Sequence, residues 1–140
     1  MNLGIAIAIT AEGFKHRKDK GGRPYILHCL RVMRRLHTND DELNCIAVMH
    51  DNVEDKISTL ESLRALGFSN RVITAIDLLT HDPSVPYEDY IRKLAHNDDA
   101  RAVKLSDLRD NSDITRLKGL SLEDHDRLSK YSWAYTYLKI

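Results

Sequence analysis

Cys45-Ile46-Ala47-Val48-Met49-His50-Asp51 is an apolar run that ends on an imidazole and a carboxylate, with Asn52-Val53-Glu54-Asp55 following at once. Four to five consecutive apolar residues describe a segment buried on every side, and a polar pair at the end of such a segment needs a reason to be there. Seven His and fifteen Asp in 140 residues yield about one His-Asp pair by chance at most, yet the chain has three: His50-Asp51, His81-Asp82 and His125-Asp126. His81-Asp82 stands beside Pro83 in a turn-like stretch, and His125-Asp126 lies among charges. Only His50-Asp51 emerges from an apolar helix. Adjacent side chains on a helix diverge by about 100°, so this pair can ligate one cation.

The rest of the chain reads as helix. A 3.6-residue apolar period places Ile26, Leu27, Leu30, Met33 and Leu36 on one face of a second helix, with Pro24 in its first turn. Residues 2–15 carry alternating isoleucines at 5, 7 and 9, but no partner strand appears elsewhere, so helix is preferred. Lys15–Gly22 forms a basic loop ended by glycine. The third helix starts at a cap on Asp40 or Asp41 and runs to about Asn52. Ser58 with Glu61 opens a fourth through a capping box, and Gly67 ends it. Asn70 begins a fifth, His81–Pro86 is a loop, and Tyr87–Ala95 is a sixth. Asp98 or Asp99 caps a seventh through about Asp110, and Ser121 with Asp124 starts the last, to about Leu138. The fold class expected is all-α, an irregular multi-helix bundle in one domain over 1–140.

Composition agrees. Apolar residues make up 42% and charged residues 30%, with 21 basic against 21 acidic side chains, so no basic stripe for a nucleic-acid polymer is present. Aromatics are only 6%, leaving the core to aliphatic residues. The N-terminal run Leu3–Ile9 is too short to span a membrane and has no basic region before it, so no membrane association is expected and the location is read as cytoplasmic. Cys29 and Cys45 both stand in apolar helical context and read as free buried thiols. The oligomeric state is open, a homodimer included.

Two further candidate ligands lie far from His50-Asp51: His28, closing Pro24-Tyr25-Ile26-Leu27-His28, and Asp107, closing Val103-Lys104-Leu105-Ser106-Asp107. A set of His28, His50, Asp51 and Asp107 mixes imidazole with carboxylate and suits Mn, Fe or Zn, with coordination positions to spare for substrate. Glu54 falls at i+4 from His50 and i+3 from Asp51, facing the same way if the helix continues, where a carboxylate can take a proton from water. Asn111, four residues past Asp107, offers an amide to a ribose hydroxyl or phosphate oxygen. Arg17, Lys18 and Lys20 offer phosphate contacts or a base stack, and Lys104 a phosphate contact. Tyr131, Trp133, Tyr135 and Tyr137 read as packing of the last helix, with one tyrosine available to a nucleotide.

Four blocks carry a family resemblance. They are Arg17-Lys18-Asp19-Lys20-Gly21-Gly22-Arg23-Pro24-Tyr25-Ile26-Leu27-His28, Ala47-Val48-Met49-His50-Asp51-Asn52-Val53-Glu54-Asp55, Thr59-Leu60-Glu61-Ser62-Leu63 with Gly67-Phe68, and Val103-Lys104-Leu105-Ser106-Asp107-Leu108-Arg109-Asp110-Asn111. In order and spacing the chain resembles the stand-alone HD-domain hydrolases of the RelA/SpoT-homologue group, the small alarmone hydrolases. The resemblance implies an HD-type fold and Mn²⁺ held by His28, His50, Asp51 and Asp107. It implies Glu54 and Asp55 as a catalytic acidic pair, Arg17 and Lys18 near base and phosphates, and Asn111 near the ribose. The implied reaction removes the 3′-pyrophosphate of guanosine tetra- or pentaphosphate, a small phosphorylated nucleotide. Alternatives are an HD-type 5′-nucleotidase, separated by a substrate panel, and a non-catalytic nucleotide-sensing or antitoxin-like module, which would bind without turnover. The chain departs from the family where His28 is followed by Cys29 instead of proline, where Leu108 follows Asp107 instead of a basic residue, and where Lys15 or His16 replaces a glutamine. No synthetase segment is recognised, so no alarmone synthesis is expected.

Overall fold

The computed structural model describes residues 3–139, and among them eight α-helices and one 3₁₀ turn account for the regular structure. They are α1 (Leu3–Gly13), α2 (Ile26–Arg34), α3 (Asp41–Val48), α4 (Leu60–Ala65), α5 (Asn70–Leu79), α6 (Tyr87–Leu94), α7 (Asp98–Asn111) and α8 (Leu122–Leu138), with the 3₁₀ turn at Ile114–Arg116. The all-α expectation holds, and the isoleucines of α1 are helical. Asn2, which the expectation placed in α1, lies outside the described residues.

The helix α3 is the axis of the bundle. Asp40 caps it by accepting from the Leu43 amide, and every residue from Cys45 to His50 is buried. Helices α1, α2, α5 and α7 pack around it. Phe14, Ile46, Met49, Leu63, Ile76, Ile91, Leu94 and Leu108 fill the shared core. Cys29 and Cys45 are free and buried, and burial pushes the Cys29 thiol up to about 12, so it stays protonated. No helix among the described residues is long and apolar enough to cross a membrane.

Several boundaries differ from expectation for local reasons. The third helix stops at Val48, not near Asn52. In a continuing helix the Ala47 carbonyl would accept from the Asp51 amide. Here the ring Nδ1 of His50 donates to it at 2.7 Å, and the chain leaves the helix through Met49 into turns. Pro24 lies outside α2, because Lys18 and Pro24 form an isolated antiparallel bridge and Tyr25 is the N-cap. The α4 capping box is formed by Thr59 and Ser62, one residue later than the expected Ser58 and Glu61. The seventh helix is capped by Asn97, leaving Asp98 and Asp99 in its first turn, where the helix dipole favours them. Gly67 (φ +91°) does end α4, and Ser121 with Asp124 opens α8 as a capping box.

Candidate metal centre and active site

Three segments deliver four side chains to one buried point. His28 comes from the first turn of α2, His50 and Asp51 from the turns after α3, and Asp107 from α7. His28 Nε2 and His50 Nε2 stand 3.1 and 3.2 Å from the same oxygen, Asp107 Oδ1. Asp51 Oδ2 lies 3.1 Å from His50 Nε2 and 3.8 Å from His28 Nε2. Ligand atoms of His28, His50 and Asp107 all fall within 4.8 Å of one another.

Both imidazoles are oriented from behind. His50 donates through Nδ1 to the Ala47 carbonyl, which turns its Nε2 toward the carboxylates, 3.2 Å from Asp107 Oδ1. His28 is held through Nδ1 by Asp110 Oδ2 at 2.6 Å. Its buried Nε2 lies 3.1 Å from Asp107 Oδ1 but is not aligned for a hydrogen bond, so it has no such partner among the described residues. An orphaned, buried imidazole nitrogen facing two carboxylates fits a divalent cation of borderline hardness. His28, His50, Asp51 and Asp107 are the residues that would hold it.

The electrostatics say the same. Burial works against protonation of His28 and His50. For His28 it is outweighed by Asp107 and Asp110, and for His50 by Asp51 and Asp107, so both sit above the ordinary histidine value. Burial likewise opposes the Asp107 carboxylate, but Lys104 and His50 hold it well below the usual range. The cluster thus needs positive charge, which protons or a cation can supply. Tyr25 adds a short hydrogen bond to Asp51 Oδ2, and burial beside that carboxylate keeps its hydroxyl protonated.

The remaining predicted residues fall around a cavity of about 400 Å³. Glu54 lines it, with Oε1 accepting from the His81 amide at 2.7 Å. Partial burial and the neighbouring Asp51 raise its pKa despite that bond. Asp55 faces away to Arg17, at 2.9 Å from its Nη1. Arg17 and Lys18 line the mouth, and the Arg17 guanidinium stands 4.1 Å over the Tyr25 ring. Lys104 Nζ donates to Asp107 Oδ2 at 3.0 Å, and Asn111 donates to Asp107 Oδ1 at 3.0 Å. One turn apart on either side of Asp107, these two share its face of α7.

Sequence reasoning passed over several neighbours. Tyr25, Tyr87, Tyr90, Arg116, Arg127 and Lys130 also line the cavity, as does Tyr131, the one member of the C-terminal aromatic cluster to do so. Trp133 and Tyr137 stack on each other at 5.5 Å, as packing expects. Tyr87 Oη and Arg116 Nε are buried without hydrogen-bond partners among the described residues, and both belong to this cavity wall. No local pattern marks these residues, because they come from a loop and from α6 and α8. Tyr25 was legible in hindsight, three residues before His28 on the approach to α2. Cys29 and Leu108, the two departures next to ligands, are buried in the core and do not line the cavity.

A helical bundle that brings His, His-Asp and Asp from three segments to one point belongs to the HD-domain class of metal-centred hydrolases. A solved structure described as a metazoan ortholog of SpoT that hydrolyzes ppGpp and plays a role in starvation responses shares this fold, with a TM-score of 0.79 over 98% of this chain and 84% of that one at 21% identity. The zebrafish (Danio rerio) protein named guanosine-3′,5′-bis(diphosphate) 3′-pyrophosphohydrolase MESH1 is 31% identical over 133 residues, covering 86% of this chain and 68% of the relative. The mouse (Mus musculus) protein of that name is 29% identical over 136 residues, covering 89% and 75%. A guanosine-3′,5′-bis(diphosphate) 3′-pyrophosphohydrolase of Aquifex aeolicus (strain VF5) is 34% identical over 117 residues, 76% of this chain but 16% of that longer protein. No protein-family model matches the chain. The chain belongs to the MESH1 family of guanosine-3′,5′-bis(diphosphate) 3′-pyrophosphohydrolases.

Proposed function

We propose that this protein is a Mn²⁺-dependent hydrolase that removes the 3′-pyrophosphate of guanosine tetra- or pentaphosphate in the cytoplasm. The observation that carries the reading is the convergence of His28, His50, Asp51 and Asp107, with Glu54 beside them, at the floor of a cavity rimmed by cations. The activity in its relatives' names is the matching reaction.

A bound divalent ion supplies Lewis acidity at the phosphorus centre and lowers the pKa of water. The protein's part follows from its side chains. Glu54, with a pKa above the ordinary glutamate value, takes the proton from the attacking water. Water oxygen bonds to the phosphorus next to the ribose, the bond from that phosphorus to the 3′ oxygen breaks, and the 3′ oxygen gains a proton. The products are GDP or GTP and pyrophosphate. Arg17 on its Tyr25 platform and Lys18 bind base and phosphates, while Asp55 holds Arg17 in place. Lys104 and Asn111 support Asp107 from both sides and present their outer faces to phosphate and ribose.

The test is to incubate purified protein with ppGpp, with and without Mn²⁺, and to quantify GDP and pyrophosphate. Mn²⁺-dependent release of both in equal amounts is expected. Release of orthophosphate alone would move the reading to another phosphohydrolase. Binding without turnover would make the chain a nucleotide sensor.

A further inference from the structure

Asp110 is fully buried and belongs to no ligand set, yet it collects more charged partners than any side chain at the centre. Its Oδ2 holds His28 Nδ1 at 2.6 Å, and its Oδ1 accepts from Arg31 Nε at 2.7 Å and Arg35 Nη2 at 3.2 Å. Arg116 Nη2 donates to the Asp110 carbonyl at 2.7 Å and lies 3.5 Å from Oδ2. Arg31 and Arg35 stand three and seven residues after His28, on the same face of α2.

Arg116 reaches the other way as well. Its Nη1 donates to Asp19 Oδ2 at 3.0 Å. Asp19 shapes the basic loop, because its Oδ1 accepts from the Arg23 amide at 2.9 Å and its own amide donates to the Arg23 carbonyl at 2.7 Å. Gly21 closes against the same arginine: a Cβ there would stand 2.7 Å from the Arg116 carbonyl oxygen. The loop that carries Arg17 and Lys18 is therefore seated on Arg116.

We infer that Asp110 is the positioning residue of this centre: its carboxylate fixes the His28 imidazole with Nε2 toward the metal point and, through Arg116, seats the substrate loop on the same anchor. The inference rests on the metal-centred reading above. A carboxylate behind a ligating histidine sets the tautomer and the ring plane, and its loss weakens metal affinity by about 10–100-fold.

The test compares three variants of the whole chain. Asp110→Asn is expected to weaken Mn²⁺ affinity, read from the electron paramagnetic resonance of free Mn²⁺, by about 10–100-fold. Arg116→Met is expected to leave that affinity within about twofold while raising KM for ppGpp roughly tenfold, the worth of one charge-assisted bond. Arg31→Met, which removes an Asp110 partner outside the cavity, is expected to lower the urea midpoint without moving Mn²⁺ affinity. Equal Mn²⁺ affinity in Asp110→Asn and the wild type would overturn the inference and leave the reading intact, whereas a wild type without Mn²⁺ binding would overturn both. If Asp110→Asn does not fold, ¹⁵N spectra of the metal-free wild type decide: a His28 protonated at Nδ1 supports the inference, and one protonated at Nε2 alone refutes it.

Discussion

Glu54 shows how the centre divides labour between neighbouring carboxylates. Asp51 is pinned between His50 and Tyr25, and Asp55 pairs with Arg17. Among the described residues Glu54 is tied through Oε1 to the His81 backbone amide, and burial raises its pKa. A base must be ionised to act, so kcat/KM should fall as pH drops through that raised value. At saturating Mn²⁺, Glu54→Gln should lower kcat by about 10²–10⁴-fold and erase the acid limb of the pH–rate profile. A variant with the wild-type limb would place the base elsewhere.

The elements around the site owe their positions to their ends. The helix α3 stops where His50 takes the Ala47 carbonyl, and that stop turns Asp51 and Glu54 out of the bundle core toward the cavity. The helix α8 begins at the Ser121–Asp124 box, and it carries Arg127, Lys130 and Tyr131 to the cavity wall. Ser121→Ala removes the acceptor for the Asp124 amide at an exposed position and should cost about 1 kcal/mol in urea unfolding. Because the loss is local to that end, KM should shift before kcat does. An unchanged urea midpoint would mean that α8 is held by its aromatic face alone.

The molecule as a whole is built around a charge it does not itself balance. The buried Asp107, the part-buried Asp51 and two imidazoles face one another, and a cation that binds only the folded state stabilises it by about 2.7 kcal/mol at a hundredfold excess over Kd. Mn²⁺ should therefore raise Tm, and a chelator should reverse the rise. Asp51→Ala should abolish the response, and retention of a full Mn²⁺-induced shift would exclude Asp51 as a ligand. His28 and His50 are held above the ordinary histidine value, so protons compete with the ion as pH falls through those raised values. The Mn²⁺-induced gain in Tm should accordingly shrink toward acid pH, measured by calorimetry across that range.

The bundle class, most helix spans and the four convergent residues were legible in the chain, because each depends on local patterns: an apolar period, a cap three residues from its partner, a polar pair at the end of a buried run. His28 and Asp107 were visible as polar residues in apolar company whose chemistry matches His50-Asp51, and family resemblance supported grouping them. What the tertiary structure alone decided is which groups stand behind and around those four. Asp110 sits 82 residues from the histidine it holds, and Arg116 sits 97 from the aspartate it grips. Contacts at such separations leave no period or spacing in a sequence, since they arise only when α2, α7 and the basic loop have packed. The end of α3 depends on a ring hydrogen bond that no propensity encodes. Local chemistry determined what the residues could do, and packing determined which of them do it together.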